Sequence, residues 1–155
     1  MILHRAYRRW LASQDGLDSV NLDESEKNSG LLAIPEMHRC CAPGITCLTS
    51  MRSGKLFTTQ QVGNNSKGCG GVMRVAPVGL AGKLADPFTL GCDSAALTHG
   101  HPTGYLAAGV LASVIDDIIN GQNLLEAINN GLKILITHPN HQEVLTAVQA
   151  ALTLS

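Results

Sequence analysis

The sequence predicts an all-α fold, a multi-helix orthogonal bundle, on three observations. Apolar residues recur at three- and four-residue steps, most clearly in Tyr105, Ala108, Leu111, Ala112, Ile115 and Ile119. Helix punctuation brackets such runs, with Asp86-Pro87 and Pro102 in front and Gly121 behind. No stretch alternates apolar and polar residues convincingly enough for a strand. The 155 residues suffice for one domain with a real core. Hydrophobic residues make up 45% and aromatics only 3%, so that core is built from Leu, Ile, Val and Ala, which suits close helix packing.

The elements follow in order. Leu3, Tyr7, Trp10 and Leu11 share one face of a first helix, with Arg5, Arg8 and Arg9 on the other. Residues 15–29 are polar and contain glycine, which reads as a loop; its Asp18, Asp23, Glu24 and Glu26 lack calcium-loop spacing. Pro35 breaks a short apolar piece, 31–37. Pro43 can pre-set the first turn of a helix over 45–53, ended by Gly54, with Ile45, Leu48 and Met51 as its buried stripe. A connector, 55–65, leads to the glycine-rich run Ser66-Lys67-Gly68-Cys69-Gly70-Gly71. Pro77 kinks the apolar segment behind that run or starts a new helix. Asp86 caps a helix reaching about His99, and Pro102 opens the longest helix, to Asn120. Its Ala107, Ala108 and Gly109 let a neighbouring helix come close. Asn123 caps the next helix, and Asn140 with Glu143 resembles a capping box for the last. The first helix starts uncapped and the last runs to Ser155 without a stop, so both ends read as cut.

Charged residues are 15%, below the usual quarter or so. So little polar surface points to self-association through apolar faces or to membership of something larger. The net charge of −1 gives no reason to expect a nucleic acid or a membrane surface as partner, and no apolar run reads as a membrane span. Five cysteines, Cys40, Cys41, Cys47, Cys69 and Cys92, form no C-x-x-C pair. With no secretory leader in residues 1–10, the expected compartment is a reducing cytoplasm.

The chemistry concentrates between Asn64 and Tyr105. Without Cβ atoms, Gly68, Gly70 and Gly71 let the backbone approach a ligand, and amides at a helix start carry partial positive charge. The run is a plausible anion seat, although it matches neither common phosphate loop and glycine clusters also serve as plain turns. His99 and His101 sit where the chain turns, so either imidazole can face a pocket; His138 and His141 read as surface residues. Asp116-Asp117 lies on the wet side of its helix, because adjacent helical residues diverge too far to share a metal. Cys69 is a thiol that the loop could activate, or a lining residue. No nucleophile arrangement is apparent.

Three motifs carry a resemblance. They are Ala-Pro-Gly-x-Thr-x-Leu within residues 39–48, Asn65-Ser66-Lys67-Gly68-Cys69-Gly70-Gly71-Val72-Met73-Arg74-Val75-Ala76-Pro77, and Thr98-His99-Gly100-His101-Pro102-Thr103-Gly104-Tyr105. In order and spacing they resemble the ADP-ribosylglycohydrolase family, over nearly the whole chain. The resemblance implies an all-α fold around two magnesium ions, sometimes manganese. It implies hydrolysis of the bond between ADP-ribose and a modified side chain, or a related linkage, with an ADP-ribosylated protein or an ADP-ribose-containing small molecule as partner. By that kinship Ser66, Lys67, Gly68, Cys69, Gly70 and Gly71 contact substrate, His99 lies beside the ADP-ribose, and Tyr105 supports the same pocket. The family's metal-binding runs, an early glutamate segment, Thr-Asp-Asp-Thr and a late Asp-x-Asp-Thr/Ser, do not occur here. The expectation is therefore a single partial domain over residues 1–155, the central part of such a fold. It holds the substrate loop, no metal ligands and no assigned catalytic residue, and is inactive alone. The alternative is a module that binds ADP-ribose or a nucleotide without cleaving it.

Overall fold

The computed structural model describes residues 2–82 and 86–154. Regular structure among them is all helical, as the periodicity requires. The chain divides into two compact units, Met1–Leu56 and Phe57–Ser155. Met1 and Ser155, where the sequence places the start of the first helix and the end of the last, lie outside the described residues.

In the first unit α1 spans Ile2–Asp15 and buries Leu11 and Ala12. Ala12 packs with Leu22 and Leu32 into a small apolar cluster. The expected polar loop contains a helix, α2 (Glu24–Lys27). Asp23 accepts from the Glu26 amide while Glu26 reaches back to the Asp23 amide, a complete capping box that the cluster of carboxylates conceals. Short 3₁₀ turns at Gly30–Ala33 and Pro35–Met37 replace the single apolar piece. Helix α3 (Ile45–Arg52) starts behind Gly44, so Pro43 lies outside its first turn. Met51 is buried, but Ile45 is 82% exposed and leaves the predicted stripe, because it sits at the open first turn. Gly54 ends the helix at φ 68°, a left-handed conformation that favours glycine. Arg52 closes the unit with two 2.7 Å bonds to the Asp15 carboxylate.

The second unit is built on one helix. In chain order it holds α4 (Gly70–Met73), α5 (Ala76–Leu80), α6 (Pro87–Ala96), α7 (Pro102–Ile119), α8 (Leu124–Leu135) and α9 (Gln142–Leu152). Pro77 falls in the first turn of α5 and starts a new helix rather than kinking an old one. Asp86 and Asn123 cap as their sequence positions predict, accepting from the amides of Thr89 and Glu126. Helix α6 ends at Ala96, short of His99, and Gly121 stops α7 at φ 93°.

Helix α7 buries two faces at once. Leu106, Val110 and Val114, four residues apart, join Phe88 and Cys92 of α6, Leu132 and Leu135 of α8 and Val144 of α9. Ala108 and Ala112, on another stripe, join Val75, Val78 and Ala95. A helix apolar on more than one side is a core helix. By length and composition α7 is also apolar enough to cross a bilayer, contrary to the sequence expectation, but it packs against α4, α5, α6, α8 and α9.

The contact between α6 and α7 depends on missing side chains. A Cβ on Gly91 would stand 2.8 Å from the Ala108 carbonyl oxygen and 2.9 Å from the Ala112 Cβ. One on Gly109 would stand 2.5 Å from Cys92 Sγ and 2.9 Å from the Phe88 carbonyl oxygen. The expectation that small residues let a helix come close thus holds at Gly109, with Gly91 as its counterpart on α6. In α8, by contrast, a Cβ on Gly131 would meet Val110 and Val114 at 3.5 Å, ordinary contact. Two substitutions of one chemistry should therefore differ in sign. Gly91→Ala should lose about 1–3 kcal/mol in chemical unfolding by overpacking. Gly131→Ala should gain up to about 1 kcal/mol through helix propensity. Equal effects would contradict the packing described.

Candidate functional site

The glycine-rich segment 66–71 is fastened to the turn between α6 and α7. Asn64 makes the attachment. Its side-chain amide donates to the Thr98 carbonyl at 2.8 Å, and its Oδ1 accepts from the amides of Ser66 at 3.0 Å and Gly100 at 3.1 Å. The Ser66 bond is the two-residue reach typical of an Asn side chain in a turn. Ser66 continues the line: its Oγ accepts from the Gly68 amide at 3.2 Å, and its carbonyl accepts from the His101 amide at 3.3 Å. Gly100 allows this approach, since a Cβ there would stand 2.2 Å from the Asn64 carbonyl oxygen.

His99 lies under the segment. It is 3% exposed, and its Nδ1 pairs with the Thr98 hydroxyl at 2.8 Å. Arg74 donates to that same hydroxyl and to the Ser94 carbonyl at 3.1 Å. The other ring nitrogen, Nε2, faces Gly68, 3.1 Å from where a Cβ on that glycine would stand. Burial, and then the nearby Arg74 cation, hold the imidazole below its ordinary range and so favour the neutral ring. His101 acts differently, for its Nδ1 accepts from the Thr103 amide at 3.1 Å and caps α7.

The segment's residues divide by exposure. Lys67, Gly68 and Cys69 are exposed, and Ser66 and Gly70 are half-buried. Gly71 is buried, and a Cβ on it would stand 2.9 Å from that of Ala95, so its lack of a side chain serves helix packing. Cys69 Sγ lies 3.4 Å from Met73 Sδ. The Lys67 ammonium meets the two carboxylate oxygens of Glu143 at 2.8 and 2.6 Å, and Glu143 also accepts from the Thr103 hydroxyl at 2.8 Å. Those bonds, first of all that from Lys67, pull the Glu143 carboxyl below its ordinary range. Glu143 makes no capping box with Asn140: α9 opens behind His141 without a side-chain cap, and Asn140 sits at φ 60°.

Tyr105 points elsewhere. It lines a cavity of about 380 Å³ together with Thr59, Gln60, Cys92, Asp93 and His138, whose lining includes none of Ser66–Gly71. Burial pushes the Cys92 thiol there up to about 12 and raises the Asp93 carboxyl. His138 is no plain surface residue, because its ring stacks on Phe88 with centroids 4.8 Å apart. His141 is half-buried, with Nδ1 2.7 Å from the His138 carbonyl oxygen. Asp116 and Asp117 are half-buried rather than on the wet face, and Asp117 accepts from Asn130 at 3.0 Å.

A family model described as ADP-ribosylglycohydrolase matches residues 2–155. The chain belongs to the ADP-ribosylglycohydrolase family. Neither the curated proteins nor the solved structures contain a match. ADP-ribosylglycohydrolases are generally metal-dependent hydrolases acting on ADP-ribose-modified substrates. Hard divalent cations take oxygen ligands, carboxylates chief among the charged ones. Among the described residues no three His, Cys, Asp or Glu side chains come together where they could hold an ion, so the side chains in place do not fit that metal centre.

Of the residues singled out in the sequence, the fold brings Ser66, Lys67, Gly68 and His99 together. Asn64, Thr98, Arg74 and Glu143 complete the arrangement, although the sequence assigns them no role in it. An Asn shortly before a glycine run is a local signal for the first of these. Nothing local marks Glu143, 76 residues from Lys67.

Asn64→Ala should loosen the segment at a cost of about 1–3 kcal/mol, since it removes the shared partner of three partly buried bonds. Hydrogen exchange at the Ser66 and Gly100 amides should accelerate; unchanged exchange would contradict the role given to Asn64. For His99 the folded state disfavours the proton. Its contribution to stability is therefore complete above the unfolded value of about 6.5 and is lost as pH falls from there through the lower folded-state value. An NMR titration should place the His99 midpoint below that value; a midpoint at or above it would refute the burial argument.

Proposed function

We propose that this chain recognises ADP-ribose as the substrate-binding portion of an ADP-ribosylglycohydrolase-like hydrolase, with the diphosphate received by Ser66, Lys67, Gly68, Cys69 and Gly70. One observation carries the proposal: Asn64, bonded to the Ser66 and Gly100 amides, holds the exposed residues Lys67, Gly68 and Cys69 beside a buried His99 whose Nε2 faces Gly68. Lys67 supplies the cation, and a segment fixed before the ligand arrives loses less entropy on binding. Membership of the family supports the choice of ADP-ribose over other phosphates.

In family enzymes a metal acts as Lewis acid and activates water. With no donor set for it among the described residues, we expect the chain alone to bind without cleaving. That same observation favours the second reading, a non-catalytic ADP-ribose-binding module.

Calorimetry with ADP-ribose, without metal, should show micromolar binding. Gly68→Val should weaken it by roughly tenfold or more, because the new side chain would lie against His99 and in the segment's open side. No heat from the parent chain would overturn the proposal. Incubation with an ADP-ribosyl-arginine peptide and magnesium should release no ADP-ribose; turnover would refute the inactivity.

A further inference from the structure

The Lys67–Glu143 pair stands out because Glu143 has a nearer use and does not take it. At the second position of α9 it could satisfy amides of its own helix start. Instead it bonds the Lys67 ammonium through both oxygens, at 2.6 and 2.8 Å, and the Thr103 hydroxyl at 2.8 Å. Thr103 belongs to the first turn of α7, next to the His101 cap, and fixes the carboxylate within reach of the segment.

We infer that Glu143 is an affinity-setting residue for this site, a built-in carboxylate that occupies Lys67 and must yield it to the ligand's phosphate. The inference rests on the proposed recognition of a diphosphate by the segment. An ammonium with two of its three N–H donors on one carboxylate keeps a single donor, on the solvent side, for a second anion. A phosphate that takes more than that one donor therefore exchanges with Glu143 rather than adding to it. The exchange is feasible because exposed ion pairs are weak and screened. It also sets a threshold. A simple carboxylate offers Lys67 nothing that Glu143 does not, whereas a diphosphate also reaches the neighbouring backbone, where the Gly68 amide can exchange its long bond to Ser66 Oγ for a charged acceptor.

The test is a double-mutant cycle by calorimetry with ADP-ribose on the full chain, using wild type, Glu143→Gln, Lys67→Ala and the double variant. Both positions are exposed, and folding is checked by circular dichroism. Glu143→Gln should tighten binding roughly three- to fivefold, the scale of an exposed pair. Lys67→Ala should weaken binding, and in that background Glu143→Gln should change almost nothing. Binding by wild type that Glu143→Gln leaves equal or weaker overturns this inference and spares the reading of the segment. The same gain with and without Lys67 also overturns it, since mere repulsion between carboxylate and ligand would then suffice. Absence of binding in wild type and Glu143→Gln alike overturns both.

Discussion

The backbone contact between α6 and α7 is the constraint on which the rest of the second unit depends. Gly91 and Gly109 let two helices meet at carbonyl and Cα level, closer than side chains would permit. Because α6 ends at Ala96 and α7 begins at Pro102, that contact fixes both ends of the turn between them. The turn holds His99, and the carbonyl and amide to which Asn64 attaches. The position of the candidate site thus follows from a contact made by residues outside that site. Rigid helices that hold a short exposed segment are a common way to present functional backbone.

The site also shows how buried polarity is satisfied. Thr98 and His99 are buried at the end of an apolar helix, where an unpaired polar atom would be costly. Arg74 and Asn64 provide the partners, one from the segment following the glycine run and one from just before it. The bonds that settle the interior accordingly hold the glycine-rich segment in place. Neutral His99 fits this arrangement, since burial and a neighbouring guanidinium both oppose its proton. The pair formed by Lys67 and Glu143 lies outside that interior, in water, where partners exchange readily.

Much of the helical framework is legible because its signals are local. Asp86, Asn123, Pro102 and Gly121 mark ends through bonds or φ preferences within one turn. Where local signals compete, the expectation fails. Asp23 and Glu26 read along the chain as part of a polar loop although they form a capping box, and Asn140 with Glu143 resemble a box that does not form. Ile45 fits an apolar stripe by spacing, yet nothing covers it within its unit. His138 reads as a surface residue, but its ring stacks on Phe88. For Glu143 and His138 the deciding partner, Lys67 or Phe88, is absent from the residues that spacing can compare.

Family membership, the helical class and the run 66–71 as a place of interest were determined by the sequence alone, for they rest on motif order, periodicity and residue chemistry along the chain. Only the tertiary structure decided which of those residues share a site. It put Gly68 against His99, turned Gly71 into helix packing, sent Tyr105 to a separate cavity and set Glu143 on Lys67. The physical reason is distance along the chain. Bonds between residues tens of positions apart depend on how helices cross, and the crossing of α6 and α7 is set by steric contacts that no single segment contains.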